Sequence, residues 1–304
     1  MSSTSPQTIQ QAQISKGTRK GDVLTPGKLI WTRFRRNKIA MVGLIIITIL
    51  VTLSLLAPLL TTHDYNTFSV RNKEQAPSSE NWLGTDGIGR DVYTRLLYGG
   101  RVSLAVGVMA SLIQMFLGVM MGSISGYYGR LVDSTIMRIT DVFLSFPFLA
   151  LALVVASILG PSPQNTALVI GLLSWTTTCR LVRGQFLTIK NTEYIEATKA
   201  LGIRELRVIY KHMLPNAMAP ILIAATLTMA NAILIEAALS FLGLGVQPPM
   251  SSWGLLIRDG ARAMESYPWF LIVPGVTLCL ALFALNCVGD ALRDAMDPRH
   301  QLKA

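Results

Sequence analysis

The sequence predicts an all-α membrane protein with six transmembrane helices and both termini in the cytoplasm, and three observations predict it. First, 51% of the 304 residues are hydrophobic and only 14% are charged, against roughly 25% charged residues in a soluble domain. A soluble surface needs polar cover, so this deficit means that part of the chain faces an apolar solvent. Second, the apolar residues gather into six runs, most of them near the roughly 20 residues that cross a bilayer as a helix. Third, Lys and Arg lie between the runs and mainly on one side. The net charge of +10 therefore reports topology. A nucleic-acid binder would gather it on one basic face.

Residues 1–27 are rich in Ser, Thr, Gln and Lys with almost no large apolar side chains. Such a segment cannot offset its ordering entropy and is expected to be a disordered cytoplasmic tail. Arg33, Arg35, Arg36 and Lys38 follow, flanked by Trp31 and Phe34, and then an unbroken apolar run, Ile39–Leu60. At about 22 residues it exceeds the core of a signal peptide and reads as an uncleaved anchor. With the loop behind it, the anchor makes a first unit over 28–101. Further spans are expected at Val102–Gly126, Ile139–Leu159, Thr166–Leu181, Ala217–Leu242 and Trp269–Val288, a five-helix core over 102–290 with a cytoplasmic tail at 291–304. Thr166–Leu181 is the weakest, being short and ending in Thr176, Thr177 and Thr178. In hydrocarbon every backbone amide must be paired within its own segment, so these runs are helices. Transmembrane strands would alternate in polarity over about ten residues, and no run does.

Lys and Arg set the orientation. With the N-terminus inside, the cytoplasmic segments 1–38, 127–138, 180–217 and 289–304 hold 8, 2, 7 and 3 of the 27 basic residues, and the external segments hold 5, 0 and 2. The inverted topology would put the three richest segments outside.

The largest cytoplasmic loop, 182–216, is basic and amphipathic. Tyr194, Ile195, Ala197, Ala200 and Leu201 form an apolar side, and Lys190, Glu193, Glu196 and Lys199 a polar one. Gly202 interrupts this short helix, where a sharp turn needs a permissive backbone. A second periodic stretch runs from Arg204 to Met213, with Leu206, Val208, Ile209 and Met213 apolar, and Pro215 is expected to close it. From the residues alone, two readings stand: a solvated amphipathic loop, or a knob of two short helices that protrudes to dock a partner.

Glu196-Ala197-Thr198, three residues, Gly202, nine residues and His212-Met213-Leu214-Pro215 resemble the cytoplasmic "EAA" loop of ATP-binding-cassette importer permeases. Thr198 replaces the second alanine of that pattern and His212 its isoleucine. Lys211–Asn216 is similar to the form carried by the dipeptide, oligopeptide and nickel subfamily. The stretches Leu29–Gly43, Trp82–Asp91, Arg95–Gly99, Ala238–Val246 and Asp290–Pro298 resemble the "C" permeases of peptide systems, so that the likeness covers nearly everything except the first 27 residues. The resemblance implies a type I importer permease fold. It also implies that Glu196, Ala197, Thr198, Gly202, Leu214 and Pro215 form a coupling loop that docks into a separate ATPase. Its expected partners are a homologous second permease subunit, two ATPase subunits, an extracytoplasmic solute-binding protein and the lipid bilayer. ATP and Mg would belong to the ATPase subunits, and this chain would bind no cofactor.

Two further groups stand out. Gly84, Asp86, Gly89, Arg90 and Asp91 lie in an external stretch with turn spacing; they suit either a structural turn or a contact for the binding protein. The ligand order of a calcium loop is absent. Glu236 is an ionisable residue inside an apolar run, where its cost directs it to the protein interior or to water. With Ser240 one turn on and Asn231 five residues earlier, it suits either an interhelical hydrogen bond or a gating role on the substrate path. Gly118, Gly122 and Gly126 recur every four residues and bare one helix face for close packing.

No phosphate-binding Gly-x-x-x-x-Gly-Lys-Ser/Thr loop occurs, so ATP hydrolysis is assigned to another chain. His63, His212 and His300 all lie outside the spans, which argues against a Ser–His protease or a His-Glu-x-x-His metalloprotease. Cys179, Cys279 and Cys287 lack metal-ligand spacing and read as small apolar residues. A secondary transporter or channel subunit is the competing class, but such transporters carry several intramembrane ionisable groups and repeated span sets.

Overall fold

Apolar runs interrupted by Pro, Asn and Gly become a series of helices in the computed structural model, which describes residues 26–65 and 69–296. Most of the expected N-terminal tail, and the end of the C-terminal one with His300, lie outside these residues. Helix α1 (Pro26–Arg36) ends in its basic cluster, and Asn37 opens α2 (Lys38–Leu55) by accepting from the amides of Ile39 and Ala40. The anchor is thus shorter than Ile39–Leu60: the chain breaks at Leu56, and α3 (Ala57–Leu60) restarts with Pro58 in its first turn, the position where a proline's missing N–H costs nothing.

Helix α4 (Val92–Tyr128) is 37 residues long and starts ten residues before the expected span. Asp91 caps it by accepting from Thr94 N at 2.7 Å. The third expected span is bent. Helices α5 (Arg130–Ser145) and α6 (Phe148–Leu159) meet at 89° across Phe146-Pro147. Proline holds the preceding residue out of the helical region, and Phe146 is extended with φ −91° and ψ 142°.

Helix α7 (Pro163–Lys190) runs nine residues past the expected end of the fourth run, so the loop begins near Asn191 and not at 182. It makes the most extensive helix pair of the fold with α4. The glycine stripe permits this: a Cβ on Gly122 would stand 2.6 Å from Cys179 O, and one on Gly126 would stand 2.5 Å from Phe186 Cβ. Of the three threonines that weaken this run, Thr178 faces α4, where Gln114 donates to it at 3.2 Å, Thr176 is buried and Thr177 is exposed.

Helices α8 (Glu193–Ala200) and α9 (Glu205–Arg207) form the loop, followed by a π turn, Val208–Met213, that runs straight into α10 (Leu214–Phe241). Pro215 therefore does not close a separate helix. It sits in the first turns of α10, next to a widened turn of the kind that absorbs local irregularity in a helix. The amphipathic α11 (Trp253–Arg262), not anticipated, buries Trp253, Leu255 and Leu256, and α12 (Trp269–Met296) completes the described fold. Among the described residues, α2, α4, the stretch Glu205–Phe241 and α12 are long and apolar enough to cross a membrane, with a fifth span if α5 and α6 count as one.

Candidate functional site

The loop between α7 and α10 is rooted and presented by different residues. Ile195, Val208 and Met213 are fully buried and pack with Tyr127, Val182, Phe186 and Ala217 at the ends of α4, α7 and α10. The other side is bare: Leu201 is 78% exposed, Leu206 66% and Tyr210 61%. Glu196, Ala197, Gly202 and Pro215 are exposed too, Leu214 is half-buried, and Thr198 is buried with its hydroxyl on Ile195 O at 2.7 Å. Gly202 has φ +70° and nothing within 4 Å of the Cβ it lacks. It is therefore required by backbone conformation and not by crowding. Leu201 N donates to Ala197 O and Ile203 N to Thr198 O, closing the turn. Three large apolar side chains are thus exposed beside one turn, the kind of feature that marks interaction sites on proteins.

The second group is a closed polar cluster in the interior. Glu236 on α10 is fully buried. It accepts from Ser103 of α4 at 2.8 Å and from Ser240 at 2.7 Å. Those hydroxyls in turn accept from Trp253 N at 3.1 Å and Val246 N at 2.9 Å. Each serine thus relays a backbone amide to the carboxylate, so that Glu236 ties α4, α10 and the start of α11 together. Asn231 does not join them; it is exposed, because five residues along a helix turn a side chain well away from the Glu236 face.

The third group is the loop that precedes α4. Gly84 (φ +74°) and Gly89 (φ +83°) occupy left-handed conformations. A Cβ on the first would strike Gln75 O, and one on the second Ser69 O. Asp86 accepts from the amides of Ile88 at 3.0 Å and Arg90 at 2.9 Å, and from the guanidinia of Arg90 and Arg95, both at 2.7 Å. Arg95 also reaches Asp259 of α11 at 3.2 Å. Burial pushes the Asp86 carboxyl up, but Arg95, then the Arg90 amide and guanidinium, outweigh it and hold the group below the usual carboxylate range. Of the residues expected either to shape a turn or to meet a partner, Asp86 and Asp91 do structural work, whereas Arg90 lines a cavity. Asp86 is 2% exposed and the other two 8%, and Asp86 and Asp91 serve the loop and the α4 cap. Arg95, Asp259, Ser103 and Ser252, whose hydroxyl accepts from Leu255 N at 3.2 Å to cap α11, were missed in the sequence. Only Ser252 left a signal, standing just before an apolar Trp-Gly-Leu-Leu start as an N-cap should.

The geometry gains a family from comparison with known proteins. Residues 118–301 match the binding-protein-dependent transport system inner membrane component, and residues 25–77 the N-terminal transmembrane domain of oligopeptide transport permease C. A dipeptide transport system permease protein of Alkalihalophilus pseudofirmus is 43% identical over 276 residues, 91% of each chain. An oligopeptide transport system permease protein of Bacillus subtilis is 42% identical over 267 residues, 88% of each. Among solved structures, inward-facing MetNI methionine ABC transporter covers 67% of this chain and 97% of its own, with a TM-score of 0.54 at 20% identity, a likeness of fold alone. On the family match and these relatives, the chain belongs to the binding-protein-dependent transport system inner membrane components.

Proposed function

We propose that this chain is the "C"-type permease subunit of an ATP-binding-cassette importer that carries dipeptides or oligopeptides inward across the cytoplasmic membrane. The observation that carries the reading is the knob at 191–213, with Leu201, Leu206 and Tyr210 exposed around Gly202. In this reading the knob fills a groove of an ATPase subunit, Glu196 offers a charge to it, and closure of the ATPase dimer moves the knob. A permease with an inward- and an outward-open state then shifts between them. The peptide class comes from the names of relatives that align over nearly the whole length.

Six spans follow in this reading: α2, α4, the bent pair α5–α6, α7, α10 and α12. Helix α7 has the length, 28 residues or about 42 Å at 1.5 Å per residue. Its low apolarity fits a helix shielded by α4 rather than by lipid. The basic loop at 191–213 and both termini face the cytoplasm by the charge rule. The assembly comprises this chain, a homologous second permease, two ATPase subunits that bind ATP and Mg, and an extracytoplasmic solute-binding protein. This chain holds no cofactor and catalyses no reaction.

Reconstituting the complete complex with its binding protein tests the proposal. Labelled dipeptides and tripeptides should accumulate only with ATP, and loaded binding protein should stimulate ATP hydrolysis. Uptake that proceeds on an ion gradient without ATP would overturn it.

A further inference from the structure

We infer that a cavity of about 450 Å³, walled by the 74–90 loop and α11, is a carboxylate-accepting socket. In it Arg90 and Arg262 receive an Asp or Glu side chain of the extracytoplasmic binding protein. The inference deepens the proposed function and rests on it. Arg90 is nine-tenths buried, and its Nε is engaged by Asp86 at 2.7 Å. Among the described residues its terminal nitrogens have no hydrogen-bond partner, although the residue lines the cavity. Those nitrogens open onto the cavity and are not sealed in the interior, so they are free to take a ligand, and the planar guanidinium fork matches a carboxylate.

The acids on the same wall do not cancel it. Asp86 is shared by Arg90 and Arg95, and Asp259 by Arg95 at 3.2 Å and Arg258 at 3.9 Å. Glu74 is the exception, and it is exposed at the rim. Arg262, exposed on α11, supplies a second cation with no ion pair among the described residues. A free peptide would need no apolar border. Ile88, 46% exposed on the wall, and Met264, 53% exposed beside it, supply one, the setting of a charged anchor within a protein interface.

The test titrates loaded binding protein against ATP hydrolysis by the reconstituted complex. Arg262→Glu should raise the half-saturating concentration by about threefold to tenfold and flatten its dependence on salt, while maximal stimulation is still reached at saturation. Arg71→Glu, the same charge change at an exposed position outside the cavity, should shift neither. An unchanged half-saturation in Arg262→Glu, or an equal shift in Arg71→Glu, would overturn the socket. Failure of the unaltered complex to respond to binding protein would instead overturn the proposed function.

Discussion

Ser103 of α4 and Glu236 of α10 are 133 residues apart in the chain, yet their side chains meet at 2.8 Å in a fully buried position. The serine also accepts from the Trp253 amide at the start of α11. One carboxylate therefore sets the distance between two long helices and the seat of a third. Replacing Glu236 with Leu strands two buried hydroxyls, each costing about 1–3 kcal/mol. Glu236→Leu should lower the thermal stability of the purified complex and release α11, with Glu236→Gln, which keeps one acceptor, milder. Equal melting of both variants and the parent would contradict this.

Asp86 gives the α4-side loop a defined response to acid. Its folded carboxyl titrates below the ordinary range, so its contribution is complete above about pH 4, the value of a free aspartate. It is lost as pH falls through the lower folded value. Limited proteolysis within 69–91 should therefore stay slow from neutrality down to about pH 4 and accelerate only below it. Asp86→Asn, which leaves the buried Arg95 short of a partner, should cost about 3 kcal/mol and accelerate cleavage already at pH 7. A loop that loosens near pH 6 would place the controlling group elsewhere.

Close packing of α4 on α7 predicts a size threshold at Gly122, where an added Cβ would lie 2.6 Å from Cys179 O and 2.8 Å from Val182 Cβ. Gly122→Ala should destabilise by about 1–3 kcal/mol, and Gly122→Leu should block accumulation of the folded subunit. Gly184, with nothing within 4 Å of its missing Cβ, should accept Ala without loss. Comparable yields for Gly122→Leu and the parent in detergent would refute the packing.

The sequence disclosed those features that repeat along one helix or at fixed spacing. Apolar runs located the long helices, the four-residue glycine stripe located the face of α4 that packs closely though not its partner α7, and the EAA-like spacing located the turn at Gly202. What it withheld depends on distant partners. The expected span starts at Val102, after Arg101; α4 starts earlier, at its Asp91 cap, and carries a buried Arg95 paired with Asp86 and Asp259. The polar end of the fourth run looked like a helix terminus, but Thr176 and Thr178 are buried, Thr178 against Gln114 of α4. The 89° bend at Phe146-Pro147 was marked by its proline. Its hydrophobic surroundings nonetheless read as a continuous span.

Topology is open to a direct measurement. Ser79, before α4, and Asn191, after α7, are both exposed and belong to opposite sides in the six-span arrangement. In a cysteine-free background, Ser79→Cys should react with an impermeant thiol reagent in intact cells, and Asn191→Cys only after lysis. Equal labelling of both in sealed cells would rule the arrangement out.

The sharpest prediction concerns Gly202. Its φ of +70° costs an L-residue roughly 1 kcal/mol or more, and a β-branched one suits it least. Nothing within 4 Å would clash with a side chain there, so a substitution acts through the backbone. It re-aims the turn between α8 and α9 without disturbing Ile195, Val208 and Met213 at its root. Gly202→Val should therefore insert and pair normally, yet reduce binding-protein-stimulated ATP hydrolysis and uptake by at least about tenfold, the effect of about 1.4 kcal/mol at the docking step. Gly202→Asn, which has the same open space and tolerates the left-handed region, should recover most of the activity. That pair separates backbone conformation from simple bulk. Glu196→Ala, which removes an exposed charge from the first turns of α8 where the helix dipole favours it, should weaken stimulation more mildly. If Gly202→Val couples as well as the parent, the turn at Gly202 does not aim a docking knob and the coupling role of this loop falls.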